Sequence, residues 1–93
     1  MQQKVERYHI SGRVQMVGFR FFAQRLAQQY AVTGYVRNLS GGAVEVVACG
    51  LPEPLKQFRN RLQQGPVTAE VTGFTRETFQ GDASQLTSFT IRW

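Results

Sequence analysis

The sequence predicts an α+β domain in which two helices cover one face of a four-stranded antiparallel sheet. Three observations carry that prediction. Apolar and polar residues alternate over short runs at Val5–Ser11, Thr33–Leu39, Ala43–Cys49 and from Val67 onward, the period of a half-buried strand. Two other runs, from Phe19 and from Leu55, repeat apolar residues every three or four positions, as one face of a helix does. In chain order these segments read βαββαβ, and Ser40-Gly41-Gly42 supplies a tight turn between the middle strands.

Each element has its own signal. Met1 to Lys4 is polar and expected to fray. In the first strand Tyr8 and Ile10 share one side and Arg7 and His9 the other. Gly12 and Gly18 punctuate the loop that follows. From Phe19, the apolar residues Phe22, Ala23, Leu26, Ala27 and Tyr30 form a helical stripe, with Gln24, Arg25, Gln28 and Gln29 largely opposite. Val44, Val46 and Ala48 share a face of the third strand. Gly50 ends that strand, and Pro52 and Pro54 suit the first turn of a helix, where a missing N–H costs nothing. Leu55, Phe58 and Leu62 then point inward and Lys56, Arg59 and Arg61 outward, until Gly65-Pro66 stops the helix. Val67, Ala69 and Val71 alternate as the fourth strand, and the phase slips near Gly73 and Phe74, as at a β-bulge. Gln80 to Gln85 reads as a loop, and Phe89, Ile91 and Trp93 as a short closing segment, at most one extra strand.

With right-handed crossovers this order gives the split βαβ, ferredoxin-like plait as a single domain over residues 1–93. In that plait the first two strands run parallel with the third between them, so their carboxyl ends share one edge of the sheet. Neighbouring strands are roughly 4.8 Å apart, which brings the loop before Arg20 and the end of the second strand, Asn38, within about 10 Å. A small ligand can then touch both.

Composition narrows the function. Ninety-three residues, 42% of them hydrophobic, suffice for one two-layer core. A formal net charge of +5 favours anionic partners without choosing among nucleic acid, anionic lipid and phosphorylated metabolites. A single cysteine, Cys49, precludes an internal disulfide and suits a reducing compartment. No apolar run approaches membrane length and no secretory h-region is visible, so the expectation is a soluble, cytoplasmic protein; a monomer is expected, though these features do not bear on oligomeric state. One histidine, one cysteine and six scattered acids form no metal-ligand spacing, and no cofactor is expected.

The stretch Gly12-Arg13-Val14-Gln15-Met16-Val17-Gly18-Phe19-Arg20 holds the candidate site. A helix start carries partial positive charge, so Arg20 in the first turn opposes the macrodipole unless an anion lies between them. An anion there would meet the backbone N–H groups of Gln15, Met16, Val17, Gly18, Phe19 and Arg20 together with the Arg20 guanidinium. The spacing is neither that of a P-loop nor that of a dinucleotide fingerprint.

This segment resembles the signature loop of the acylphosphatases, G-[R/K/N]-V-Q-G-V-x-F-R, with Met16 standing where that family has glycine. Thr33-Gly34-Tyr35-Val36-Arg37-Asn38-Leu39, followed by a glycine turn and Val44-Glu45-Val46, is similar to the segment carrying the family's asparagine. Phe58, Leu62, Gly65-Pro66 and Phe89-x-Ile91 extend the likeness over nearly the whole chain. The resemblance implies hydrolysis of small acyl phosphates, with inorganic phosphate as product or inhibitor. By position, Arg20 would bind phosphate and Asn38 would place the water. A rival class is an RNA-recognition domain, which shares the plait and reads bases with aromatics on its central strands. The third strand here has none and carries Glu45, which argues against nucleic acid. A non-catalytic anion-binding module is the remaining alternative.

Overall fold

The computed structural model describes residues 2–93. The chain runs β1 (Lys4–Arg13), α1 (Phe19–Tyr30), β2 (Thr33–Asn38), β3 (Val44–Gly50), α2 (Pro52–Gln64), β4 (Glu70–Thr78), a 3-10 turn (Ala83–Gln85) and β5 (Phe89–Arg92). The strands form one sheet in the order β4-β1-β3-β2-β5. β1 and β2 both pair antiparallel to β3, so they run parallel with β3 between them, the arrangement expected of the plait.

The core lies between the helices and one sheet face. Phe19, Ala23, Leu26 and Ala27 of α1 and Leu55, Phe58 and Leu62 of α2 are buried against Tyr8, Ile10, Val36, Val44, Val46 and Ala48. These are the positions that the helical and strand periods select, because burying the apolar stripe of each element is what stabilises it.

The sheet departs from the sequence expectation in having five strands, with β5 parallel to β2 and not antiparallel. The outer edge of β2 would otherwise expose unpaired backbone groups, and residues 89–92 pair with residues 34–37 to cover them. To reach that edge from β4 the chain crosses the sheet face without helices. There Leu86 packs with Tyr35, Val47 and Cys49 in a second, smaller apolar cluster. The 3-10 turn on this path, where a plain loop is expected, is capped by Asp82 accepting from the Ser84 N–H at 3.0 Å. Three boundaries also differ. Lys4 pairs with Gly50 instead of fraying, and Met1 lies outside the described residues. Val67, alternating with Ala69 in sequence, is 92% exposed in the connection before β4. The Ala69 N–H is taken by the Pro66 carbonyl at 3.0 Å, so pairing with β1 begins only at Glu70.

Across the same face, Glu45 of β3 joins the three central strands. Its carboxylate, 4% exposed, accepts from Arg7 of β1 and, at 2.6 Å, from Arg37 of β2. Burial pushes this carboxyl up, but hydrogen bonds from Arg37 and Arg7 outweigh it and bring the net value below the ordinary carboxylate range. A carboxyl depressed in the folded state adds stability above its unfolded value, near 4.3, and loses it as pH falls through the folded value. Glu45→Gln is therefore expected to cost about 2 kcal/mol at pH 7, less than the roughly 3–5 kcal/mol of a fully buried pair because both arginines reach solvent. That corresponds to a fall in Tm of about 10 °C. The gap between the two proteins should begin to narrow below roughly pH 4 and close only once pH lies below the depressed folded value of this carboxyl. Thermal unfolding at pH 7 and pH 3 checks both statements, and a gap that persists undiminished in acid would contradict the second.

Candidate active site

The loop between β1 and α1 leaves the sheet at a bulge. Ser11 pairs with Gly73 but Gly12 with Val71, so Thr72 is the extra residue on β4. Gly12 adopts φ 120°, and a Cβ there would meet the Glu70 carbonyl oxygen at 2.1 Å, so only glycine fits. The sequence places the slip at Gly73 and Phe74, beside its actual position.

Beyond the bulge the loop is held at three points. Val14 is buried in the core. The Gln15 side-chain amide donates to the carbonyls of Leu39 and Ala43, both at 2.8 Å, tying the loop to the β2–β3 turn. The Thr68 hydroxyl donates to the Val17 carbonyl at 2.7 Å, tying it to the α2–β4 connection. These bonds use carbonyls and one side chain and leave the loop's N–H groups free. Among the described residues, no loop, turn or cap hydrogen bond uses a backbone N–H of residues 15–20.

Met16 (φ 63°) and Gly18 (φ 79°) are both left-handed with Val17 between them, an alternation of the kind that turns successive N–H groups toward one anion. Gly18 is also the N-cap of α1, which has no side-chain cap and no acidic residue in its first turn. The helix start therefore supplies unpaired donors and uncompensated positive charge. Arg20 adds a cation that pairs with no carboxylate among the described residues.

A cleft of about 80 Å³ opens at this point, lined by Val14, Met16, Gly18, Phe19, Arg20, Phe21 and Asn38. Arg20 and Asn38, from separate elements, thus face one space, as the parallel course of β1 and β2 requires. Of the six predicted backbone donors, Met16, Gly18, Phe19 and Arg20 line the cleft and Gln15 and Val17 do not. Gln15 serves as a tether to the neighbouring turn. Two site residues escape the sequence reading. Trp93 stacks its ring on the Arg20 guanidinium, 4.1 Å from Cζ, and nothing local in the sequence links the two. Phe21 does carry a signal: a large aromatic off the apolar stripe of its helix has to be exposed, and it is.

Two larger concavities, of about 430 and 590 Å³, lie along the β1–β4 edge and over the face without helices. Their arginines are committed: Arg76 to Glu6, and Arg7 to Glu45 and Glu77. Lys4, which lines the first, pairs with no carboxylate among the described residues, but neither concavity lies at an uncapped helix start as the small cleft does. Among the described residues no group of three or more His, Cys, Asp or Glu side chains is placed to hold a metal ion, and no helix is long and apolar enough to cross a membrane.

Comparison with known proteins gives a consistent result. The family model described as Acylphosphatase matches residues 6–91. A protein of Actinobacillus pleuropneumoniae named acylphosphatase is 44% identical over 92 residues, covering 99% of each chain. Another of that name, from Vibrio parahaemolyticus, is 46% identical over 78 residues, covering 84% of this chain and 87% of its own. The crystal structure of acylphosphatase from Bacillus subtilis superposes with a TM-score of 0.88 at 30% identity, over 96% of this chain and 98% of that one. Since the match runs from β1 into β5 and takes in both the loop and the β2 segment that meet at the cleft, the chain belongs to the acylphosphatase family.

Proposed function

We propose that the chain hydrolyses the carboxyl–phosphate anhydride of small acyl phosphates, with the phosphoryl group held in the cleft by Arg20 and the loop N–H groups. The observation that carries this reading is the convergence of Arg20, an uncapped helix start and Asn38 on one small space. In the reaction the oxygen of water attacks phosphorus and the bond from phosphorus to the acyl oxygen breaks. The carboxylate leaves with the electron pair, and a water proton passes to a phosphate oxygen. A leaving carboxylate has a conjugate acid of pKa roughly 4, so no general acid is required. Charge builds on the phosphoryl oxygens, and stabilising it calls for fixed donors and a bidentate guanidinium. Asn38 orients the water as a neutral group, where a carboxylate would repel the substrate. Its place at the end of β2 supports that role.

The proposal extends to a monomer in which residues 1–93 work as one domain, since Arg20 and Asn38 line one cleft, and to the cytoplasm, whose reducing conditions suit the free thiol of Cys49. The decisive experiment is hydrolysis of a synthetic acyl phosphate by the purified protein, with and without inorganic phosphate. Turnover competitively inhibited by phosphate is expected. A folded protein with no turnover would leave the cleft as an anion-binding site only.

Met16 gives a further test. Its left-handed backbone costs a non-glycine residue on the order of 1 kcal/mol, while its side chain is 99% exposed and so stays clear of the cleft floor. The loop is therefore strained and intact. Met16→Gly should leave thermal stability unchanged or slightly raised, because strain relief offsets the extra unfolded-state entropy of glycine. Turnover should change by less than about tenfold. A gain of about a hundredfold, the worth of one restored donor, would show that methionine misplaces an N–H.

A further inference from the structure

The cleft encloses only about 80 Å³, far below the roughly 300–1,000 Å³ of pockets that bury a whole small molecule. A phosphoryl group held there leaves the rest of the substrate outside, on the rim. That rim is apolar. Among the described residues five large hydrophobic side chains are exposed, and three of them, Met16, Phe21 and Trp93, stand around this opening. Met16 and Phe21 line the cleft, and Trp93 meets Phe21 edge-on with ring centroids 6.3 Å apart and planes at 62°. Solvent reaches 82% of Trp93 and 56% of Phe21. The other two, Leu51 and Val67, stand singly at either end of α2. Isolated exposed hydrophobics are ordinary, but a group of them bordering a polar cleft marks a binding surface.

Trp93 can serve there without taking Arg20 from the phosphate. A guanidinium meets an aromatic ring through its flat face and a phosphate through its N–H edge, so both contacts coexist. The contact holds the guanidinium against the ring and leaves most of the indole open to solvent beside the cleft.

We infer that Met16, Phe21 and Trp93 form a platform for the acyl group, and that the chain favours acyl phosphates with an aromatic or extended apolar acyl group over short ones. This rests on the acyl phosphate reading above. The platform begins where the enclosed cleft ends, which makes the substrate's own acyl group its occupant.

The test compares kcat/KM for benzoyl phosphate and acetyl phosphate in the full chain, in Trp93→Ala and in Trp93→Phe. The original chain should favour benzoyl phosphate by about tenfold or more, mainly through KM, as an added apolar contact gives. Trp93→Ala should cut that preference by at least about fivefold, and Trp93→Phe should keep most of it. An absent preference, or equal losses on both substrates in Trp93→Ala, would overturn the platform and reduce Trp93 to positioning Arg20. Because Trp93 is the chain's one tryptophan, its fluorescence gives a second readout that needs no turnover. Benzylphosphonate should shift the emission and bind at least about fivefold tighter than methylphosphonate. Equal binding of the two, or an emission that neither moves, overturns the platform even if hydrolysis is intact. Selective binding without turnover of either acyl phosphate would instead reject the hydrolysis reading and keep the platform.

Discussion

Arg20→Lys should fold normally and lose at least about a hundredfold in acyl phosphate turnover, in the range seen when one fixed donor to a developing charge is removed. The charge survives the substitution, so loss of activity would isolate the geometry of the guanidinium. Arginine presents two parallel N–H groups to two phosphoryl oxygens, whereas lysine presents a point charge on a flexible stem. The stack on Trp93 is lost as well, since an ammonium has no flat face to lay on the indole. Stability should hardly change, because Arg20 makes no ion pair among the described residues and lies in the first turn of α1. Circular dichroism and thermal unfolding establish the fold, and steady-state kinetics with inorganic phosphate as competitor establish the loss. Turnover within a few-fold of the original in a folded Arg20→Lys protein would remove Arg20 from the mechanism.

Asn38→Ala should separate turnover from binding. If Asn38 orients the attacking water, its loss acts on the transition state and kcat should fall by about a hundredfold or more. The affinity for inorganic phosphate should change by less than about threefold, because phosphate is held by Arg20 and the loop donors. The fold should survive, since Asn38 joins the sheet through its backbone pairing with Val44 and not through its side chain. Parallel decreases in kcat and phosphate affinity would make Asn38 a phosphate ligand and would require another group to place the water.

The polar end of the cleft was legible in the sequence for a specific reason. An arginine in the first turn of a helix with no acidic partner is electrostatically misplaced, and a helix start with no cap leaves donors unpaired. Both signs are local, and both are present at Gly18–Arg20. The apolar end was less legible. Phe21 could be read as exposed from its helical phase, but its place beside Trp93 could not, because that contact spans the chain from α1 to the residue after β5. The tether of Gln15 is similar. The sequence marks the backbone N–H of Gln15 as a candidate donor to an anion, and only the fold shows that its side-chain amide ties the loop to the carbonyls of Leu39 and Ala43.

By itself the sequence determined the elements and their order, because the 2-residue and 3.6-residue periods of burial are written in adjacent positions. It also determined that Arg20 and Asn38 share a sheet edge, since a plait with right-handed crossovers admits that arrangement. The tertiary structure decided what depends on edges and distant neighbours. It turned the closing segment into β5, because the open edge of β2 needed partners. It gave Met16 its left-handed backbone, fixed by a loop pinned through Gln15 at one side and Val17 at the other. It also set Trp93 on Arg20, a contact between residues that no local pattern relates. Local periodicity records which face of an element is buried, and only the packed chain determines what lies across from it.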